Sequence, residues 1–282
     1  MRLPPKVELP FFAYGVFKPG ELGFLRIKEF LDPERRPLAC SVPGQLWVRD
    51  GLPVAHLGET RNSDIPGYLI YFRDGSGSYA YTRIAELEPD YQYEWKIRTP
   101  NGEDAYILKG INPEDGGEPY GDWDGQNDPL FTIALDVIQE MWEQNHGDAG
   151  DHAKLFKLEA AYLLLWSAIE RYASLRYHLS DRVEYKVEHI IHDPAFSEAL
   201  LKYVDISRPR IVRCANHPSN QYELNPSDPA GSYYYYRQIR HNTSHRGKSA
   251  GSTDHKRLSL SLDELLKIFR HLLKSAFQEA KI

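Results

Sequence analysis

The spacing of apolar residues changes part-way along the chain. Up to residue 112, short apolar runs rich in aromatic and β-branched residues alternate with turn sequences, a pattern that predicts strands. In the second half, apolar residues recur at steps of three and four and so predict one face of a long helix, at Leu155, Leu158, Tyr162, Leu165, Ile169 and Tyr172. A segment rich in Gly, Pro and Asp, 112–128, separates the two patterns and has neither period.

The two periods predict an α+β chain with two domains. We expect a small mixed β-barrel with helices over 9–112, an acidic Gly/Pro-rich linker over 113–128 and an all-α helical bundle over 129–282. Helices are expected in the first domain at 21–31 and 82–88, and in the second, besides the long one, at 129–145, 182–192, 194–204, 233–246 and 260–281. Asp193-Pro194 is expected to divide the middle pair and Ser261 to cap the last helix, while 208–232 is expected to be a polar loop.

Composition and charge exclude several classes of protein. Apolar residues make up 41% of the 282, and no run of eighteen apolar residues could span a membrane. The N-terminus lacks a secretory signal pattern, and Cys40 and Cys214 have no metal-ligand spacing, so we expect a cytoplasmic protein without disulfide, metal or cofactor. Residues 1–150 carry 14 Lys+Arg against 25 Asp+Glu, whereas 151–282 carry 20 against 15, so a polyanion partner is expected in the second domain.

A basic run, RQIRHNTSHRGKS, occupies residues 237–249. Arg240 and His245 are five residues apart and lie about 140° apart around a helix, so they meet directly only if the helix bends, or flank one groove where two copies pack together. Histidine moves protons near neutral pH, and arginine binds phosphate through its planar donors, so the pair suits metal-free cleavage of RNA. Arg240 and His245 also fit the solvated basic end of a helix, where cations are favourable. A third interpretation is that His241 and His245, four residues apart, are two ligands of a metal ion.

The sequence Arg-His-Asn-Thr-Ser-His, 240–245, resembles the R-x4–6-H signature of HEPN domains, and 158–177 resembles their long first helix. The resemblance covers about 150–282. It implies a helical bundle that dimerises and brings two signatures into one cleft, as in metal-independent ribonucleases of toxin–antitoxin and phage-defence systems. It also implies that Arg240 and His245 are catalytic, and that Arg237, His241 and Asn242 contact the substrate.

The first domain has a second resemblance, covering about 9–112, to the γ-glutamylcyclotransferase-like fold. The family's Tyr-Gly-x-Leu-x-x-Gly loop corresponds to Tyr14, Gly15, Val16 and Phe17 through Gly20, and its Leu-Asp-x-x-Glu stretch corresponds to 84–88. The resemblance implies that the loop holds a ligand and that Glu88 is an acid–base. Val16, Phe17 and Ala85 stand where the family has Ser or Thr, Leu and Asp, a departure that puts cyclotransferase activity in question.

Three functions follow from these patterns. The first is a HEPN-type endoribonuclease that is a homodimer through its helical bundle, with an N-terminal domain that binds or modifies a small molecule and a possible antitoxin or regulatory partner. The second is a cyclotransferase or amide-processing enzyme that uses Glu88, with the bundle as dimeriser. The third is a binding or regulatory protein without catalysis.

Overall fold

In the computed structural model, the chain forms two compact units. The first unit comprises Met1–Asp128, Ser174–His178 and Ala276–Ile282, and the second comprises Pro129–Ala173 and Leu179–Ser275. The structure describes residues 1–49, 51–58, 63–112, 117–147, 151–178, 182–205, 207, 209–215, 217–246 and 252–281, without the side chains of 245, 246 and 252–254. Within these ranges, no helix combines the length and apolar character needed to cross a membrane.

The first unit is built from strands and one α-helix. The strands are β1 (Phe11–Ala13), β2 (Leu38–Pro43), β3 (Gln45–Arg49), β4 (Leu52–His56), β5 (Asp64–Ile70), β6 (Tyr93–Arg98), β7 (Ala105–Gly110) and β8 (Glu118–Tyr120). The helix α1 spans Gly77–Leu87, and short 3-10 helices occur at Leu22–Arg26, Lys28–Phe30, Pro100–Gly102 and Gly125–Asn127. The apolar runs predicted as strands before residue 112 each contain a strand, and α1 lies among them, so the mixed α+β composition predicted for this part of the chain is confirmed.

The predicted barrel is not closed. One sheet has the order β2-β5-β1-β7-β6, and a separate sheet has the order β4-β3-β8, so β2 and β6 are open edges within the described residues. The reason lies at Gly44, where the chain passes from β2 into the second sheet as β3 instead of continuing along the first. A Cβ at Gly44 would lie 2.5 Å from the carbonyl oxygen of His56, so only glycine allows this close passage.

Two other predictions in the first unit need correction. The predicted helix 21–31 is a pair of 3-10 helices, because the backbone N–H groups of Phe24, Ile27 and Phe30 each donate to the carbonyl three residues earlier, the bond pattern of a 3-10 helix. The predicted linker contains β8 and the 3-10 helix Gly125–Asn127, and its residues up to Asp128 belong to the first unit. Aspartate 124 caps that short helix by accepting a hydrogen bond from the backbone N–H of Gln126.

The second unit is mainly helical. Its elements, two of which extend into residues assigned to the first unit, are α2 (Ile133–Asn145), α3 (His152–Arg176), α4 (Val183–Glu188), α5 (Pro194–Tyr203), β9 (Arg210–Arg213), β10 (Gln221–Leu224), α6 (Pro229–Arg246) and α7 (Ser252–Glu279). A 3-10 helix, His189–His192, follows α4. The predicted apolar face of the long helix is confirmed, since Leu158, Tyr162, Leu165 and Tyr172 of α3 are fully buried.

The second unit also departs from the prediction of an all-α bundle. Strands β9 and β10 form an antiparallel pair within the predicted polar loop, with Val212 opposite Tyr222. Helix α6 begins earlier than expected because Pro229 fits its first turn. Ser261 is not an N-cap: α7 starts nine residues earlier, and the Ser261 hydroxyl lies 3.3 Å from that of Tyr235. Asp193 does cap α5, accepting a hydrogen bond from Ala195.

A buried ion pair holds the inner face of α6. Glu264 of α7 accepts two hydrogen bonds from Arg210 of β9, at 2.7 and 2.8 Å, and one from the Tyr236 hydroxyl at 3.3 Å. The Tyr162 hydroxyl donates to the backbone carbonyl of Tyr236 at 3.0 Å. Because Glu264 is only 2% exposed, loss of the Arg210 guanidinium would leave an uncompensated buried carboxyl, at a cost of about 3–5 kcal/mol. This network fixes which face of α6 points outward.

Candidate functional sites

The outward face of α6 carries the basic residues singled out in the sequence. Along this helix two buried residues alternate with one partly exposed residue, and the partly exposed positions include Tyr234, Arg237 and Arg240. The buried positions include Tyr233, Tyr236 and Ile239, which pack into the core of the second unit. The three-residue step therefore places Arg237 and Arg240 on one outward stripe, with His241 beside them.

The stripe forms one wall of a groove of about 340 Å³ in the second unit. Charged residues and one histidine line it, namely Arg182, Arg237, Arg240, His241, Glu170 and Glu184. Its apolar floor comes from Trp166 and Tyr233, which are 6% and 4% exposed, together with Val183 and Val187. Three guanidinium groups in one groove favour an anionic ligand, because each presents several donors to phosphate or carboxylate oxygens.

Two arginines of the groove are paired with its carboxylates. Arg240 Nη2 lies 3.5 Å from Glu170 Oε1 on α3, and Arg182 Nη1 lies 3.9 Å from Glu184 Oε1. The side chains of Arg240 and Glu170 are 29% and 36% exposed, so water screens their attraction. Ion pairs of this kind are worth about 0–1 kcal/mol, which leaves Arg240 able to exchange the Glu170 carboxylate for a phosphate.

Two other residues of the basic run, Asn242 and His245, are also predicted site residues. His245 lies on the last turn of α6, but its side chain is outside the described residues. The amide of Asn242 ties α6 to the β9–β10 pair, since Oδ1 accepts from the backbone N–H of Ala215 at 3.0 Å and Nδ2 donates to the carbonyl of Arg213 at 2.8 Å. Asn242 therefore has a structural role, whatever it does toward substrate.

Sequence reasoning missed several groove residues. Glu170 and Trp166 come from α3, and Arg182 and Glu184 come from the start of α4, some 50 to 75 residues before the basic run. From the sequence alone, Trp166 is expected in the core, and Glu170 and Glu184 are expected to be solvated residues on helix surfaces. No local spacing links these residues to α6, because only the packing of the helices brings them together.

In the first unit, Tyr14 and Glu88 lie near enough for the charge of Glu88 to act on the Tyr14 phenol. Glu88 directly follows α1, and burial raises the pKa of its carboxyl to about 7, against an opposing effect of the Arg26 guanidinium. Burial and, secondarily, the neighbouring Glu88 raise the pKa of the Tyr14 phenol. The Tyr14 hydroxyl donates to the carbonyl of Leu108 at 2.7 Å, so it is fixed in place.

The loop after β1 is tightly packed. Val16 and Phe17 are 4% and 3% exposed, and a Cβ on Gly15 would come within 2.4 Å of the Pro53 ring. Arg26 lies beside Glu88 with its side chain 1% exposed, and its Nη2 donates to Glu86 at 3.4 Å. Among the described residues its Nε and Nη1 find no acceptor. A carboxyl with a pKa near neutrality in such a place can both take up and give back a proton.

Comparison of the chain with protein-family models, with curated proteins and with solved structures finds no match. Across the ranges that the structure describes, no group of three or more His, Cys, Asp or Glu side chains is arranged to hold a metal ion. The chemistry of the two units therefore has to be argued from their own residues.

Proposed function

We propose that the protein is an endoribonuclease of HEPN type that cleaves RNA without a metal ion, using the groove of the second unit. The observation that carries the proposal is the convergence of Arg182, Arg237, Arg240 and His241 on one groove. RNA carries a charge on every phosphate, and guanidinium groups bind phosphate through paired donors. The apolar floor beside the arginines suits the ribose and base next to the bound phosphate.

The proposed reaction is transesterification within the RNA strand. The 2′-oxygen attacks the adjacent phosphorus while His245 removes its proton, and the bond from phosphorus to the 5′-oxygen breaks. That 5′-oxygen takes a proton from an imidazolium, which leaves a 2′,3′-cyclic phosphate on one fragment and a 5′-hydroxyl on the other. Arg240 stabilises the negative charge that builds on the phosphoryl oxygens, an effect worth about 10²–10³ in rate for one donor.

Two copies of the chain are expected to act together. The resemblance to HEPN domains implies a homodimer in which the bundle places two R-x4–6-H signatures across a two-fold axis, so each cleft would combine side chains of both subunits. An antitoxin or other regulatory partner would cover this cleft in the resting cell. Sedimentation or light scattering of the purified protein measures the oligomeric state, and a strict monomer that still cleaves RNA would remove the dimer from the proposal.

The test is RNA cleavage in excess EDTA by the wild type and by Arg240→Ala, His241→Ala and His245→Ala. General acid–base catalysis by histidine contributes about 10²–10⁴ in rate, so His245→Ala should lose at least a hundredfold, with a smaller loss for His241→Ala. The matched controls are Arg213→Ala and His217→Ala, which change exposed residues of the same unit outside the groove. Equal losses in the controls, or no loss in His245→Ala, would exclude the proposed site.

A second activity is favoured by the burial of Glu88. We propose as the alternative that the first unit is an amide-processing enzyme in which Glu88 transfers the proton between the attacking amine and the amide that it cleaves. The support is the pKa of about 7, which suits an acid–base at neutral pH, and the fixed Tyr14 hydroxyl beside it. Release of amine from γ-glutamyl amides by the wild type but not by Glu88→Gln would favour it, and no release by either would oppose it.

A further inference from the structure

The first unit contains a cavity of about 590 Å³ whose lining includes neither Glu88 nor Tyr14–Phe17. Its floor is formed by small residues of two paired strands, with Cys40 of β2 opposite Gly67 of β5. Its walls come from Lys18–Glu21, from Asp122, Asp124 and Gln126, and from Lys281 near the end of the chain. The volume lies within the range of about 300–1,000 Å³ typical of pockets that hold small molecules.

Two ionisable side chains, Lys18 and Glu21, are buried at this cavity, and their hydrogen bonds differ. Lys18, 7% exposed, places its ammonium 2.9 Å from Asp122 Oδ1 and also donates to the carbonyl of Trp123. Glu21 is 5% exposed, and within the described part of the chain the donor to its carboxyl is the backbone N–H of Gly125, which lies 3.1 and 3.2 Å from its two oxygens. A carboxylate accepts about four hydrogen bonds, so most of the acceptor capacity of Glu21 is unused by these contacts.

Two aspartates near Glu21, Asp122 and Asp124, oppose ionisation of its carboxyl, and Lys18 favours it. Burial, the largest effect, raises the pKa of Glu21 to about 8, Asp124 and Asp122 raise it further, and Lys18 and the Gly125 N–H lower it. The remaining cation of the lining, Lys281, is exposed at the end of the chain, where water screens its charge. A buried carboxyl of this kind is stabilised in its charged form by a cation placed against it.

We propose that this cavity binds a small primary amine, whose ammonium group is held by the Glu21 carboxylate. An ammonium fits because it brings three donors to a carboxyl that receives one, and because the charge of a second acid of the lining, Asp124, also acts on Glu21. An organic cation is favoured over a metal ion, since the described residues hold no group of His, Cys, Asp or Glu arranged for a metal. The Tyr68 hydroxyl and the Gln126 amide, which also line the cavity, would contact the rest of the ligand.

Binding is coupled to release of one proton, because the ammonium pairs with the ionised form of Glu21. With a pKa of about 8, Glu21 is mostly protonated at pH 7 and mostly ionised at pH 9. Alkylamines, like the lysine side chain, stay protonated up to a pH of about 10. The affinity should therefore rise about tenfold between pH 7 and pH 9.

The first experiment is titration calorimetry of the full chain with putrescine, with butane-1,4-diol as the uncharged analogue. We expect saturable binding of putrescine only, with an enthalpy that depends on the buffer because a proton is released. Glu21→Gln should weaken binding at least tenfold and abolish the buffer dependence, whereas Asp74→Asn, an exposed acid of the same unit, should leave both unchanged. Equal binding of the diol, no binding of putrescine, or an unaffected Glu21→Gln would overturn the proposal.

The second experiment uses the cysteines and does not depend on the folding of Glu21→Gln. Both cysteines are free; Cys40 lines the cavity, and Cys214 lies in the second unit as an internal reference. Putrescine at ten times its Kd should slow alkylation of Cys40 about tenfold and leave Cys214 unchanged. Unchanged Cys40 alkylation counts against the site, and this result does not bear on RNA cleavage.

Discussion

Replacing Arg210 by Met tests how the outward face of α6 is set. The substitution removes both hydrogen bonds that the Arg210 guanidinium donates to Glu264, whose side chain is only 2% exposed. The Glu264 carboxyl then keeps two longer hydrogen bonds, from the Tyr236 hydroxyl at 3.3 Å and from the Asp205 N–H at 3.4 Å. Breaking a buried pair in this way costs about 3–5 kcal/mol. Since every 1.4 kcal/mol is a factor of ten, backbone amides of α6 should exchange with solvent between about a hundredfold and several thousandfold faster.

Hydrogen exchange followed by mass spectrometry is the appropriate measurement, because it reports on α6 separately from the first unit. The double variant Arg210→Met, Glu264→Met removes both charges and leaves apolar side chains of similar size, so it should recover most of the lost protection. Peptides from β1 and β5 in the first unit serve as the internal control and should not change. A rise in α6 exchange below about fivefold in Arg210→Met, or a double variant less protected than the single one, would refute the reasoning.

Three further predictions concern single residues. Glu88→Gln should remove one pH-dependent contribution to the stability of the first unit. Because the pKa of Glu88 is raised to about 7, its contribution is fully present below about pH 4.5 and falls by about 3 kcal/mol as the pH rises to 8. Thermal unfolding at pH 5 and pH 8 should therefore differ less in the variant than in the wild type, and equal differences would contradict this. Glu170→Gln should tighten RNA binding a few-fold, because the Glu170 carboxylate, 3.5 Å from Arg240, competes with phosphate for that arginine. Fluorescence anisotropy with labelled RNA measures the affinity, and weaker binding by the variant would mean that Glu170 instead positions Arg240. Asn242→Ala should cost about 1–3 kcal/mol through the lost links to Ala215 and Arg213, and unchanged exchange of the β9 amides would contradict that structural role.

The local elements were predictable from the sequence because their signals are local. The apolar face of α3 and the alternating strands of the first unit depend on residues within a few positions of each other. The break at Asp193-Pro194 was equally visible, since proline fits the first turn of a new helix, and α5 does begin at Pro194. Ser261 carried the same kind of signal but lies inside α7, because the buried pairing of its hydroxyl with Tyr235 outweighs capping.

What the sequence did not predict depends on contacts between distant segments. Closure of a barrel requires its two edge strands to pair, and no local signal at β2 or β6 shows that Gly44 sends the chain into a second sheet. The groove residues Glu170 and Arg182 and the cavity residue Glu21 are likewise unremarkable as sequence. They gain their chemistry from burial and from partners that lie far away in the chain, as Glu21 does from the segment around Gly125.

The chemical identity of the RNA ends tests the central claim most directly. A short RNA of defined sequence is incubated with the purified 282-residue chain in excess EDTA, and the masses of the RNA fragments are measured. The proposed chemistry predicts fragments that end in a 2′,3′-cyclic phosphate and begin with a 5′-hydroxyl, formed by the wild type and by Arg213→Ala but not by Arg240→Ala or His245→Ala. Intact RNA with a dimeric wild-type protein, or fragments with 5′-phosphates, would contradict it.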